Sequence, residues 1–404
     1  MSALPPLSRP HRHTHAGYVA ELDGLRALAI LLVIVSHLGI GHGIPGGFGV
    51  TVFFFISGFI ITRLLLQEYG RYQALSWRHF YLRRLLRLGP ALLFFIGLAY
   101  LCERWLMQRP VPLADVLASL FYWANYHLIY GGYAAINAQP ASLQIVWSLA
   151  VEEHFYVLFP VWLWWLGRDR PTLPTLCQRL QSLSVWLLVL VLLWRCYLVY
   201  GVGLDALPHN RLYLGSDTRL DSIVWGVWLA AYQAQIAPAA AQAGGPLRGL
   251  PAWSRALALG LALAALLISF VVRDEGFRQA WRYSLQGLAL LVLLAWLLWP
   301  VRPGVASQSE ARPVTGRLAL MLATWRAQIR HGLQRPVLVY IGKLSYSLYL
   351  FHWLARCLSQ WATGQVNGWQ HDGLMLMLAF SLAMLSYHGL EQPLLRWRQR
   401  WARV

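Results

Sequence analysis

Apolar stretches close to the ~20 residues needed to cross a bilayer recur along this 404-residue chain, and nothing else restricts its fold as strongly. A segment crossing lipid must satisfy its own backbone, so such stretches read as α-helices. Ten candidates lie at roughly 25–41, 47–66, 89–107, 146–167, 183–203, 217–234, 254–273, 281–300, 341–361 and 372–391. An eleventh stretch, 113–131, is interrupted by Asp115, Asn125 and His127 and ends in Gly131-Gly132. With 58% hydrophobic and 12% charged residues, a water-soluble protein of this length would expose far too much apolar surface. The expected fold is all-α: a polytopic transmembrane helical bundle of about ten spanning helices, forming one domain over 1–404. No stretch is long enough for a separate soluble domain.

The net charge of +18 raises the question of nucleic acid. The basic residues, all Arg except Lys343, sit instead in short loops between apolar runs, which is a membrane topology signal, and no nucleic-acid partner is expected. If 113–131 does not cross and both termini are cytoplasmic, the inner loops hold 21 basic residues and the outer loops five. If it does cross, every later loop changes sides and the bias largely vanishes. The segment near 113–131 is therefore expected to be non-spanning or re-entrant from the outer face. Three cytoplasmic parts follow: a polar N-terminus over 1–22 with an uncleaved first helix, a basic loop over 301–336, and a basic tail over 392–404. Within the loop, 316–331 reads as an amphipathic helix on the anionic inner leaflet. Residues 235–252, rich in Ala, Gln, Gly and Pro, read as a flexible inner loop. The four Cys lie far apart and imply neither a disulfide framework nor a metal site.

Ionisable side chains inside spanning helices cost at least a few kcal/mol each, so every one is a functional candidate. Arg26 and His37 lie eleven residues apart in the first helix, about 16 Å along its axis. Asp23 is placed to pair with Arg26. Arg83, Arg84 and Arg87 cluster at the inner mouth of the third span, and Arg84 and Arg87 share a helix face suited to phosphate oxygens. Glu152 and Glu153 lie a short way in from the outer face and point roughly 100° apart. Asp217 and Asp221 share a face at an outer helix entrance, with Arg219 between them, and suit a polyhydroxylated acceptor. His352 lies about as deep as His37, and Glu391 sits at the inner end of the last span. Each has a plainer reading: lipid anchoring for the arginines, a hydrogen-bonded core position for His37, and helix capping for the aspartates. Ser57, in Phe53-Phe-Phe-Ile-Ser-Gly58, reads as a packing serine, and no nucleophile elbow, phosphate loop or zinc helix is present.

Taken together, the blocks resemble membrane acyltransferase family 3 over nearly the full chain. They are Leu22-Asp-Gly-Leu-Arg26 followed by ten residues and His37, Phe53 to Gly58, Arg84-x-x-Arg87, Trp147 to Tyr156, Asp217 to Asp221, Ser345 to His352, and Glu391-x-Pro393. Their order matches as well. The resemblance implies a multi-pass protein of the bacterial inner (cytoplasmic) membrane, surrounded by membrane lipid. It implies O-acylation, commonly acetylation, of a glycan or other hydroxyl-bearing acceptor from a cytoplasmic acyl-CoA such as acetyl-CoA, with no metal. It marks Arg26, His37, Arg84 and Arg87 as the important positions and suggests a standalone form without a fused periplasmic hydrolase-like domain. Acyl transfer needs a base and an oxyanion donor. The expected catalytic set is His37 as base, Glu152 orienting it, and Arg26. The expected donor-binding set is Arg83, Arg84 and Arg87. Asp217, Arg219, Asp221, Glu153 and His352 are expected to meet the acceptor. Direct transfer and a covalent acyl-enzyme are equally compatible, a transporter or flippase is the competing class, and oligomeric state is unreadable.

Overall fold

The computed structural model describes residues 18–39, 41, 43–131, 141–243, 251–298 and 316–401, and their regular structure is entirely helical. The helices are α1 (Ala20–Ser36), α2 (Gly46–Tyr72), α3 (Trp77–Leu101), α4 (Leu113–Leu120), α5 (Ala124–Ile129), α6 (Trp147–Gly167), α7 (Leu173–Cys196), α8 (Arg211–Leu214) and α9 (Ser216–Ala243). They continue with α10 (Ala252–Val271), α11 (Glu275–Ala280), α12 (Arg282–Leu298), α13 (Arg317–Leu333), α14 (Pro336–Thr363), α15 (Trp369–Ser386) and α16 (Gln392–Trp401). Of the cytoplasmic parts read from the sequence, residues 1–17 and 301–315 lie outside the described residues, as do 244–250 of the stretch read as a flexible loop, whose first part instead continues α9 to Ala243.

Each of the ten apolar stretches is mostly helical over its described residues. Five helices among the described residues are long and apolar enough to cross a bilayer: Gly46–Tyr72, Trp77–Leu106, Leu173–Ala206, Ala252–Val271 and Trp369–Arg396. The shorter Arg282–Leu298 is also apolar. Absent from that set are α1, α6, α9 and α14, the helices that carry Arg26, Glu152, Arg219 and His352. Polar side chains aimed into the bundle lower a helix's hydropathy without facing lipid.

The stretch 113–131 forms two short helices, α4 and α5, joined through Tyr122 at a positive φ of 56°. Asp115 meets His127 across this fold-back at 2.7 Å. The amide of Asn125 ties α5 to the carbonyl of Leu214 and the hydroxyl of Ser216. Neither helix approaches spanning length, as expected of a re-entrant piece.

At the centre, α2 packs along α9, and α1 lies between α2 and α14. The α2–α9 contact is backbone on backbone: a Cβ at Gly58 would strike the carbonyl of Ile223, and one at Gly226 the carbonyl of Phe55. Small residues that admit such approach are a main source of helix association where lipid supplies no hydrophobic drive. Gly226→Leu is therefore expected to prevent assembly of the bundle, read as loss of a monodisperse peak in detergent, while Gly260→Leu, which meets nothing within 4 Å, leaves it intact.

The amphipathic stretch is α13. Arg330 on it pairs with Glu21 at 2.5 Å, while Leu320, Trp325 and Ile329 stay exposed, as befits a helix lying in an interface.

Candidate functional site

The charged residues of α1, α3 and α6 meet inside the bundle. Arg26, Arg84, Arg87 and Glu152 line one cavity of about 80 Å³ with Ser57, Ser148, Tyr156, Ser345, Tyr346 and Tyr349. Five helices contribute to this lining. Arg26 pairs with Asp23 at 3.9 Å, as its spacing on α1 predicted. Glu152 accepts a hydrogen bond from the Tyr156 hydroxyl at 2.8 Å. The Arg84 guanidinium lies 3.1 Å from the centre of the Tyr156 ring and 3.8 Å from Glu153, which fixes its plane. Its Nε is buried without a partner, and among the described residues Arg87 has no carboxylate in ion-pair contact.

Behind Arg84 a second, more open cavity of about 920 Å³ is lined by Trp77, Arg78, Tyr81, Leu85, Tyr122 and Glu153 among others, sharing only Arg84 and Leu88 with the first. The two adjacent glutamates thus face different spaces, as 100° of helix rotation requires.

Arg83 does not join the cluster. It turns outward to Glu68 at 3.0 Å and is 45% exposed, because it is rotated from Arg84 by one residue of helix. The expected donor set therefore reduces to Arg84, Arg87 and, from α1, Arg26.

His37 caps the C-terminus of α1 beyond the cavity. Its ring lies 5.3 Å from that of His352 and 4.8 Å, edge-on, from that of Trp353, and its Nδ1 is buried without a partner. His352 is fully buried, with Nδ1 2.7 Å from the Tyr349 carbonyl oxygen. The expected Glu152–His37 contact is absent: Glu152 is engaged with Tyr156, and His37 is not in the cavity lining. Tyr349 touches both groups: it lines the cavity, its hydroxyl accepts from Ser148 at 2.6 Å, and its ring lies 5.6 Å from that of His352.

The aspartates expected to greet an acceptor are already committed. Asp217 pairs with Arg211 at 2.5 Å and accepts from the Trp194 indole at 2.7 Å. Asp221 pairs with Arg195 at 2.7 Å with both side chains fully buried, and it also accepts from Ser284. Arg195 donates further to the carbonyls of Ala280 and Thr218, locking α7, α9 and α11 together. Removing one partner strands a buried charge, so Asp221→Ala is expected to cost about 3–5 kcal/mol, visible as a large fall in thermal midpoint in detergent. Arg219, fully buried between the two aspartates, pairs with neither; its Nη2 donates to Thr51 at 3.0 Å.

Sequence reasoning gave no role to several residues around the cavity. Ser57 lines it together with Glu152 and Tyr156. Glu391, in a π-helical turn at Tyr387–Glu391, accepts from Ser347 and Ser386 and lies close enough to feel Arg26 and Arg87. The Ser345-to-His352 and Glu391 blocks marked the right segments without saying which residues face inward. Among the described residues no group of three His, Cys, Asp or Glu side chains is arranged to hold a metal.

A sequence profile of the family described as Acyltransferase domain matches residues 19–388. A protein of Staphylococcus aureus strain COL bearing an O-acetyltransferase name is 32% identical over 93% of this chain and 57% of its own length. O-acetyltransferase OatA of Staphylococcus aureus strain NCTC 8325 is 30% identical over 93% of this chain and 57% of its own length. YrhL of Bacillus subtilis, whose name reads peptidoglycan O-acetyltransferase, is 29% identical over 95% of this chain and 56% of its own length. This chain thus spans little more than half the length of these relatives. No solved structure matches. The profile match covers most of the chain and includes every helix that lines the arginine cavity, so the chain belongs to membrane acyltransferase family 3.

Proposed function

We propose that this protein is an integral membrane O-acyltransferase, moving an acetyl group from cytoplasmic acetyl-CoA to a hydroxyl of a glycan or similar acceptor beyond the membrane. The observation that carries this reading is the meeting of Arg26, Arg84 and Arg87 with Glu152 around one cavity. Guanidinium groups are expensive in apolar helices, and several converging on one space suit a ligand rich in phosphate. The unpartnered Arg84 Nε and the absence of a carboxylate partner for Arg87 among the described residues fit a donor diphosphate. The donor supplies an acyl group already activated as a thioester. Arg84 and Arg87 hold its phosphates, and Arg26 adds positive charge further along.

Glu152 takes a different part from the one its position on α6 suggested. Bonded to Tyr156 and facing the guanidinium groups, it holds their geometry rather than orienting a base. His37 is the base that strips the acceptor hydroxyl, since a neutral imidazole nitrogen can take up a proton and the Nδ1 of this ring is buried without a side-chain partner. Its place beside His352 suits an acceptor arriving from the outer side. The O-acetyltransferase names of the relatives support acetyl as the group, and the name of YrhL supports a cell-wall glycan as the kind of acceptor. The charge bias of the loops supports cytoplasmic termini, which puts the arginine cavity towards the cytoplasm.

Purified protein incubated with acetyl-CoA labelled in the acetyl group is expected to release free thiol and to label an added glycan. If neither thiol nor labelled glycan forms with any acyl-CoA, the reading fails and a transporter becomes the better account of the buried charges.

A further inference from the structure

Among the described residues Arg219 is a fully buried charge with little compensation. Its Nε and Nη1 have no hydrogen-bond partner, and only Nη2 is used, on Thr51. Aromatic rings enclose the guanidinium: its central carbon lies 3.9 Å from the centre of the Tyr283 ring, 5.3 Å from Tyr213 and 5.5 Å from Phe54. Such rings stabilise a cation but accept no N–H in the plane of the guanidinium. The acids nearest in sequence are spent, Asp217 on Arg211 and Asp221 on Arg195. A second arginine, Arg282, lies 5.1 Å from the other contact of this cage, the Tyr283 ring, and donates to its hydroxyl at 3.0 Å. Among the described residues Arg282 has no ion pair with a carboxylate either. This corner of α2, α9 and α12 therefore carries two arginines that protein carboxylates do not neutralise.

We infer that Arg219, backed by Arg282, binds an oxyanion of the acceptor, a carboxylate or a phosphate on the sugar. The inference rests on the acyltransferase reading and sharpens it: the acceptor is acidic, where the aspartates alone would have suggested a neutral polyol. Two considerations favour an acceptor anion over the passing charge of the transfer step. Two guanidinium groups match a full, standing negative charge, and an unpaired buried arginine is tolerated best when the ligand completes it. The location also suits an acceptor. Arg219 is the fourth residue of α9 and meets Thr51 near the start of α2, ends that lie on the outer side under the same topology that puts the arginine cavity inward. Phe54 lines the donor cavity and also faces Arg219, so one aromatic ring separates the two sites.

The test compares sugars with and without an anionic group. N-acetylmuramic acid and its methyl ester carry the same hydroxyls, and N-acetylglucosamine 1-phosphate and N-acetylglucosamine extend the comparison to phosphate. With wild-type protein in detergent at low salt, the charged member of at least one pair is expected to show a KM lower by roughly 10-fold or more, the size of a charge-assisted hydrogen bond. It is also expected to raise the thermal midpoint where its neutral partner does not. The pair that responds identifies the anion. Arg219→Gln should remove the KM preference and the thermal shift together, and Arg219→Lys should keep part of both. Equal KM values and equal midpoints for both pairs in the wild type overturn the inference, and so does a preference that survives Arg219→Gln. If Arg219→Gln does not fold, Arg282→Gln is measured instead and should at least halve the preference; an unchanged preference overturns the role of the pair. If no thiol is released from acetyl-CoA, the acyltransferase reading has failed, and the midpoints alone still decide whether Arg219 binds an oxyanion.

Discussion

His37→Ala is expected to lower acetyl transfer by about 10²–10⁴-fold, the range that a positioned general base contributes, while the protein remains inserted and monodisperse. The ring is well placed for such a part. It caps α1, is flanked by His352 and the edge of Trp353, and leaves Nδ1 without a protein partner. A half-buried histidine kept only for packing would behave differently: its loss would lower the thermal midpoint and scale activity with the amount of folded protein. Measuring both quantities on His37→Ala and His37→Gln separates the cases. Gln retains hydrogen bonding but cannot take up a proton at neutral pH, so Gln should be as inactive as Ala. More than a tenth of wild-type transfer in either variant removes His37 from the chemistry.

The second large effect belongs to Arg84 and Arg87. Replacing both with Ala is expected to raise the acetyl-CoA concentration needed for half-maximal rate by roughly 100-fold or more, since each hydrogen bond to a charged group contributes about 1.5–3 kcal/mol. Arg84→Lys should recover little. The guanidinium is a flat group lying on Tyr156 and bridging to Glu153, and an ammonium on a flexible stem reproduces neither the stacking nor the forked geometry. Arg83→Ala, facing Glu68 at the surface, should leave donor dependence unchanged. A donor titration curve that does not move in the double variant defeats the assignment.

Much of this was legible in the primary structure, and the limits are instructive. Helix positions followed from apolar runs, and depth followed from counting 1.5 Å per residue. The groups that had to be functional followed from the cost of charge in lipid. Arg26, Arg84, Arg87 and Glu152 line one cavity, although Glu152 was expected beside His37 rather than beside the arginines. Azimuth and partnership were beyond reach. Arg83 and Arg84 are neighbours in sequence, yet one faces a surface glutamate and the other the cavity. Asp221 looked available because its partner, Arg195, sits on another helix. Glu152 and His37 were expected to meet, and only the packed helices show Glu152 bonded to Tyr156 while His37 lies against His352 and Trp353. Linear spacing fixes height along an axis. It leaves open which way a side chain looks and whom it meets.

The packing of Tyr349 bears on bioenergetics as much as on chemistry. A membrane bundle with polar groups in its interior is in danger of becoming a leak, since any water file running through it would let protons fall down a gradient. Tyr349 is buried, its hydroxyl is tied to Ser148 and its ring is set against a histidine, so this stretch of the interior is filled by protein rather than by water.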